Sequence, residues 1–197
     1  MGELILCSHP IAAMPYYIDN ISLNVYSLEE LCYYIENHLY LIEADFMSEE
    51  LCLWIGQELD EKDLAQSLRS VLLGNGSLSD FTELILRSCG YCSEDTIRHI
   101  RSVLLDMQNK SVFECSKIRA DRYMESEKYV KAIHEYRKLL GMEEECKKNP
   151  VLEGNIRHNL GTACAELFLF DEAAANFLNA YRLNRNRESL AACMAAC

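Results

Sequence analysis

The stretch Asn159-Leu160-Gly161-Thr162-Ala163-Cys164-Ala165-Glu166-Leu167-Phe168-Leu169-Phe170-Asp171-Glu172-Ala173-Ala174-Ala175-Asn176-Phe177-Leu178-Asn179-Ala180 decides how this chain is read. Its small and aromatic residues recur at fixed intervals. Ala173 stands twelve residues after Gly161, Phe177 four further on, and Ala180 three after that. Intervals of three and four put side chains on one face of a helix.

With Asn159-Leu160-Gly161, Phe170-Asp171-Glu172-Ala173, Phe177 and Ala180 in register, residues Gly154 to Arg187 resemble a tetratricopeptide repeat. The resemblance implies two antiparallel helices that cross where Gly161 and Ala173 are small enough for the backbones to approach. Leu160, Phe177 and Ala180 would fill the seam, and Phe170 would sit at the turn. The closing proline of the family is replaced by Arg185. An earlier, degenerate copy spans about Phe113 to Met142, within residues 113–146. Setting Ala132 on Ala173 brings Tyr129 onto Phe170, Tyr136 onto Phe177, Leu139 onto Ala180 and Ala120 onto Gly161, with Arg119-Ala120 replacing the Leu-Gly pair. The offset is 41 residues, seven more than the family period of about 34. The surplus falls in Glu143 to Val151, which is expected to form a longer loop or extra helical turns. Glu188 to Ala195 looks like the first helix of a third unit, and its alanine-rich face lacks the wet side of a capping helix, so the chain is expected to be a fragment of a longer array.

Ahead of this module, residues 1–108 read as a helical domain. Glu3–Cys7 and Ile21–Tyr26 have strand character and would form a small hairpin against the helices. Ser27-Leu28-Glu29-Glu30 is a capping box that opens a helix carrying Leu31, Ile35, Leu39 and Ile42. Ser48 starts a second helix with Leu51, Trp54, Ile55 and Leu59. A third runs from Asp63 to Leu73 and ends at Gly74-Asn75-Gly76; a fourth runs from Ser79 to Gly90. The fifth opens at Ser93-Glu94-Asp95 with Ile97, Ile100, Leu104 and Met107 on one face. No Pro or Gly occurs from Ser93 to Leu140. That predicts a helix running unbroken into the repeat module, residues 109–197, with Gln108 to Ser111 as the polar point where it would bend instead. The fold class is mainly α, a helical domain with a small β-hairpin followed by antiparallel helix pairs forming an α–α superhelix. Tyr16, Tyr17, Tyr26, Tyr33, Tyr34 and Tyr40 are expected to pack in the core.

Half of the 197 residues are apolar and a quarter charged, and three prolines with eight glycines are too few for an all-β sandwich or a disordered linker protein. The formal charge is −12, from 31 acidic and 19 basic residues. Such a surface repels phosphate, and no Lys/Arg stripe counters it. Nucleic acid and anionic membrane are therefore not expected partners; a basic or neutral protein is. Ten cysteines stand at 7, 32, 52, 89, 92, 115, 146, 164, 193 and 197. Cys32, Cys52, Cys115 and Cys164 read as small buried hydrophobes. The opening MGELILCSHP has no basic segment and lacks a myristoylation serine, and no run approaches the roughly 18 apolar residues of a membrane span. A reducing cytoplasm is the expected setting.

Repeats of this family mostly hold a peptide or protein on the concave surface lined by the first helix of each pair, here about Phe113–Glu125 and Gly154–Phe168. The resemblance places Lys117, Asp121, Met124, Asn155, His158, Asn159, Thr162 and Glu166 on that surface. A basic clamp for chaperone C-termini is not expected. Lys117 and Asn159 match it, but Asp121 replaces an Asn, and Ser189 and Cys193 stand where Lys and Arg are needed. No cofactor is implied, and the oligomeric state is left open. The competing reading is a thiol-redox or metal-dependent regulator using Cys89-Gly90-Tyr91-Cys92. Cys92 precedes a helix start, where the dipole lowers a thiol pKa. Against this, Gly90 suffices as a helix C-cap. Cys89, Cys92 and His99 supply only three zinc ligands with no second paired motif, so no metal is expected. No phosphate-cradling glycine loop or nucleophile elbow occurs, and the paired acids lie at helix starts or in a charged loop, so no enzyme is expected. Among the histidines only His158 faces the groove in this reading; His9, His38, His99 and His134 belong to surfaces or seams.

Overall fold

The structure, a computed structural model, describes residues 8–196. The expected strand at Glu3–Cys7 lies outside the described residues. The fold is mainly α, with eleven α-helices and one two-stranded antiparallel sheet among the described residues. None of these helices is long and apolar enough to cross a membrane. The chain separates into two compact units, Met1–Asn109 and Lys110–Cys197.

In the first unit, β1 (Tyr16–Ile18) pairs antiparallel with β2 (Leu23–Val25), Tyr16 opposite Val25 and Ile18 opposite Leu23. The second strand falls inside the expected Ile21–Tyr26 run. Its described partner is Tyr16–Ile18, because Asp19 to Ser22 make a tight reversal, with the Ser22 N–H on the Asp19 carbonyl at 3.2 Å. Ile18 and Val25 turn inward, Asn20 donates to the Leu41 carbonyl at 2.8 Å, and the Trp54 indole N–H donates to the Met14 carbonyl at 2.8 Å. Of the six tyrosines only Tyr34 is fully enclosed; Tyr17, Tyr26 and Tyr33 are exposed, because strand alternation and the outer face of the first helix carry them outward.

Five helices follow: α1 (Leu28–Asn37), α2 (Glu49–Gln57), α3 (Lys62–Leu73), α4 (Leu78–Cys89) and α5 (Glu94–Asn109). Ser27 caps α1 by accepting from the Glu30 N–H, as expected, but Glu30 reaches one residue further back and accepts from Tyr26 N–H at 2.7 Å. The helix stops at Asn37, so Leu39 and Ile42 lie beyond it in or beside a short 3-10 turn, still buried. The fourth helix starts a residue before Ser79 because Ser77 and Asp80 form a reciprocal capping box. Gly90 ends it at φ +65, a left-handed conformation that glycine adopts without a Cβ penalty. Leu28, Leu31, Ile35, Leu51, Ile55, Leu59, Leu68, Phe81 and Ile85 form the core.

The second unit contains α6 (Val112–Glu125), α7 (Tyr129–Gly141), α8 (Glu143–Lys148), α9 (Pro150–Glu166), α10 (Phe170–Asn184) and α11 (Arg187–Ala195). The expected continuous helix through residue 110 does not form. Ser111 accepts from Glu114 N–H at 3.2 Å while Glu114 Oε2 accepts from Ser111 N–H at 2.9 Å, and this box starts α6 afresh. Antiparallel packing of α9 on α10 is fixed by contacts at both ends. A Cβ on Gly154 would meet Asn184 and the Ala180 carbonyl, and one on Gly161 would meet the Phe177 ring at 2.8 Å and the Ala173 carbonyl at 3.2 Å. Leu160, Ala173, Phe177 and Ala180 are buried in that seam. The surplus segment folds as α8, whose Cys146 is buried and donates its S–H to the Leu139 carbonyl.

The two helix pairs share one turn. Glu127 and Phe168 are both left-handed, at φ +57 and +60, each two residues before the next helix. Lys128 N–H donates to the Tyr123 carbonyl at 2.8 Å and Leu169 N–H to the Cys164 carbonyl at 2.9 Å; Ala132 and Ala173 N–H then bond Lys128 and Leu169 carbonyls, each at 3.0 Å. Every member of this set is offset by 41 residues, the spacing read from the sequence. Arg185 ends α10 at φ +56.

Candidate functional site

In the second unit, α6, α7 and α9 bring three of the eight expected groove residues into one polar cluster. Lys117 Nζ and Asp121 Oδ2 pair at 2.6 Å across one turn of α6, each about one third exposed. The Tyr136 hydroxyl of α7 donates to Asp121 Oδ1 at 2.7 Å. Asn159 of α9 donates to the same carboxylate oxygen at 3.4 Å and to the tyrosine hydroxyl at 3.3 Å. Tyr136 itself has no exposed surface, and burial together with the Asp121 carboxylate holds its phenol well above the usual range, so it remains a donor. Sequence reasoning placed Tyr136 only in the seam. Its hydroxyl, absent from the equivalent Phe177, was the available signal that this position also has polar work.

The other five expected residues stand apart from this cluster. Thr162 donates to the His158 carbonyl at 3.2 Å, one helical turn along α9. The His158 ring lies 5.3 Å from that of Phe177, with Nδ1 3.0 Å from Ser189 Oγ of α11. Ser189 is fully buried and Cys193 donates to the Ala174 carbonyl, so neither position of the absent clamp offers a free group. Asn155 is turned toward α10, its Oδ1 accepting from Asn184 at 3.0 Å. Glu166 is exposed and Met124 half-buried.

In the first unit a second cluster surrounds Glu29. This residue sits in the first turn of α1, yet only 4% of it is exposed. Its Oε1 accepts from Ser8 N–H at 2.6 Å, Ser8 Oγ at 3.1 Å, His9 N–H at 3.0 Å and His9 Nδ1 at 2.9 Å. Burial alone would raise its pKa, but the His9 ring and these backbone N–H groups outweigh burial and hold the carboxyl at about 2. The same bond raises His9 above the ordinary imidazole range. Cys32, one turn further along α1 and fully buried, directs its S–H at the Ile85 carbonyl of α4, 3.9 Å away. Interaction with the Cys32 thiol, opposed by burial, lowers the Cys89 thiol from its ordinary value.

The Cys-x-x-Cys segment therefore behaves differently from its reading in the sequence. Gly90 is indeed a helix C-cap, but Cys92 is pushed up to about 11 by burial, with Glu36 and Cys89 adding to it; the start of α5 does not lower it. The thiol lowered from its ordinary value is Cys89, not Cys92. Cys115, expected to be buried, is only half-buried, while Cys146 is buried instead. No spacing in the sequence links His9, Glu29, Cys32 and Cys89. The nearest signal was an acid immediately before a wholly buried helix face. No family model matches the sequence, and no curated protein or solved structure matches it.

Proposed function

We propose that the second unit is a short tetratricopeptide-type module and that it serves as a non-catalytic scaffold, holding an extended protein segment along the face that carries Lys117, Asp121 and Asn159. The observation that carries the reading is the cluster joining α6, α7 and α9. A carboxylate is held rigidly by a buried tyrosine hydroxyl and an asparagine amide, and remains one third open to solvent. Such an anion accepts a lysine, arginine or backbone N–H from a partner without having to be ordered on binding. The shared turn and the 41-residue offset support the repeat assignment, since a tandem of equivalent helix pairs is how these arrays build a continuous face. A cytoplasmic setting is part of this proposal, and no step requires a cofactor.

The test is retention of partners from native lysate by the full chain, compared with Asn159→Ala and Lys117→Ala. Both variants are expected to lose one specific protein while keeping the wild-type far-ultraviolet circular dichroism. A partner retained equally by all three chains would place binding elsewhere.

A further inference from the structure

Three separate parts of the first unit converge on one point. His9 comes from the segment before β1, Glu29 and Cys32 lie one turn apart on α1, and Cys89 closes α4. A ring nitrogen of His9, a carboxylate oxygen of Glu29 and Sγ of Cys89 all lie within 4.8 Å of one another. Cys32 stands one turn along α1 from Glu29, its S–H directed at the Ile85 carbonyl at 3.9 Å, and is not one of the three. Independently, the second oxygen of the Glu29 carboxylate, Oε2, is buried and has no hydrogen-bond partner among the described residues. A buried carboxylate oxygen with nothing to accept from is unfavourable by about 1–3 kcal/mol or more, and a cation at that point removes the deficit.

We propose that His9, Glu29 and Cys89 form a site for a divalent cation of the zinc class, with water completing the coordination. Around tetrahedral zinc, bonds of about 2.0 Å to nitrogen and oxygen and 2.3 Å to sulfur place the ligand atoms roughly 3.3–3.8 Å apart. The cluster reaches that spacing with about an ångström of side-chain adjustment. A thiolate, an imidazole and a carboxylate suit zinc or cobalt, whereas magnesium and calcium require oxygen ligands. Binding is charge-balanced. The Cys89 thiol loses its proton to solvent, the metal displaces to solvent the proton that His9 shares with Glu29, and no electron is transferred. The carbonyl end of α4, where Cys89 stands, adds a favourable dipole toward a cation. Neither Cys92 nor Cys32 is among the converging groups, so Cys89 is the one thiolate ligand. This site lies wholly within the first unit and does not rest on the reading of the second.

The test uses the full-length chain, reduced and stripped with a chelator, then titrated with cobalt(II). One equivalent is expected to produce a thiolate-to-cobalt charge-transfer band in the near ultraviolet together with visible bands of tetrahedral intensity, both erased by zinc. Cys89→Ser should abolish the charge-transfer band, while Cys52→Ser, a buried cysteine outside the cluster, should leave it intact. Because serine at a buried position can unfold the unit, His9→Ala supplies the second variant. It alters a residue outside the helical core and should weaken cobalt affinity at least about tenfold, the loss that removing even an outer ligand brings. Absence of the band at one equivalent, its survival in Cys89→Ser, unchanged affinity in His9→Ala, or a Cys32–Cys89 disulfide found in the unreduced chain would each overturn the proposal.

Discussion

The two units divide the charge of the chain unequally. The second has fourteen basic and thirteen acidic residues, leaving five basic and eighteen acidic in the first. The net charge of −12 is therefore a property of the first unit, not of the surface at large. This changes the partner argument drawn from composition. Long-range attraction of a basic or cationic ligand acts on the first unit, whereas the second must recognise through local groups such as Asp121. The units also bury polarity differently. Among the described residues the first encloses a single carboxylate, Glu29, almost completely; the second leaves Asp121 one third open at a crossing of helices.

That contrast can be broken or sharpened by experiment, beginning with Glu29. Its pKa is about 2 in the folded chain against an ordinary 4.5. A depressed carboxyl stabilises fully above the unfolded value and loses that contribution as pH falls through the folded one. The metal-free first unit should lose about 3 kcal/mol between roughly pH 5 and pH 2. Trp54 is the only tryptophan and lies in the first unit, so its fluorescence reads this directly in denaturant titrations at several pH values. A flat response over that range would dissolve the distinction between the enclosed and the open carboxylate.

In the second unit the largest effect is expected from Gly161→Ala. The added methyl would lie 2.8 Å from the buried Phe177 ring and 3.2 Å from the Ala173 carbonyl. A loss of about 1–3 kcal/mol follows, seen as faster amide hydrogen exchange across α9 and α10 with exchange in α1 to α4 unaltered. Stabilisation by the alanine would mean that the helices are not as close as the seam requires. Smaller still is Tyr136→Phe, which removes the donor to Asp121 while Lys117 and Asn159 remain. It should cost about 1 kcal/mol, and the same change in an Asn159→Ala background should cost measurably less if the three groups act together.

Much of this fold was legible in the sequence, for reasons that can be named. The caps at Ser27 and Ser48 and the stop at Gly90 are local devices, and local devices are written in adjacent residues. The 41-residue offset was visible because Ala132 and Ala173 must be small and Tyr136 and Phe177 large. What was not legible depends on distant chain. The strand partner of Leu23–Val25 is chosen by a turn, not by hydrophobicity, since Glu3–Cys7 and Tyr16–Ile18 are equally apolar candidates. Ser111 read as a bend because the absence of Pro and Gly says nothing about capping geometry. Glu29 looked like any first-turn acid. Only the return of Ser8 and His9, twenty residues earlier, buries it, and no periodicity encodes that approach. Of the residues that the repeat resemblance placed on one surface, Lys117, Asp121 and Asn159 do meet, but the sideways turn of Asn155 toward Asn184 needed the neighbouring helix.

The turn common to α6–α7 and α9–α10 has a further consequence. Its hydrogen bonds are backbone to backbone, and its left-handed position is occupied by Glu127 in one copy and by Phe168 in the other, residues with nothing in common. A connection that tolerates such different occupants is held by backbone geometry and not by side-chain identity. The helices on either side can therefore differ, one pair carrying the polar cluster at Asp121 and Tyr136 and the other the apolar seam at Gly161 and Phe177.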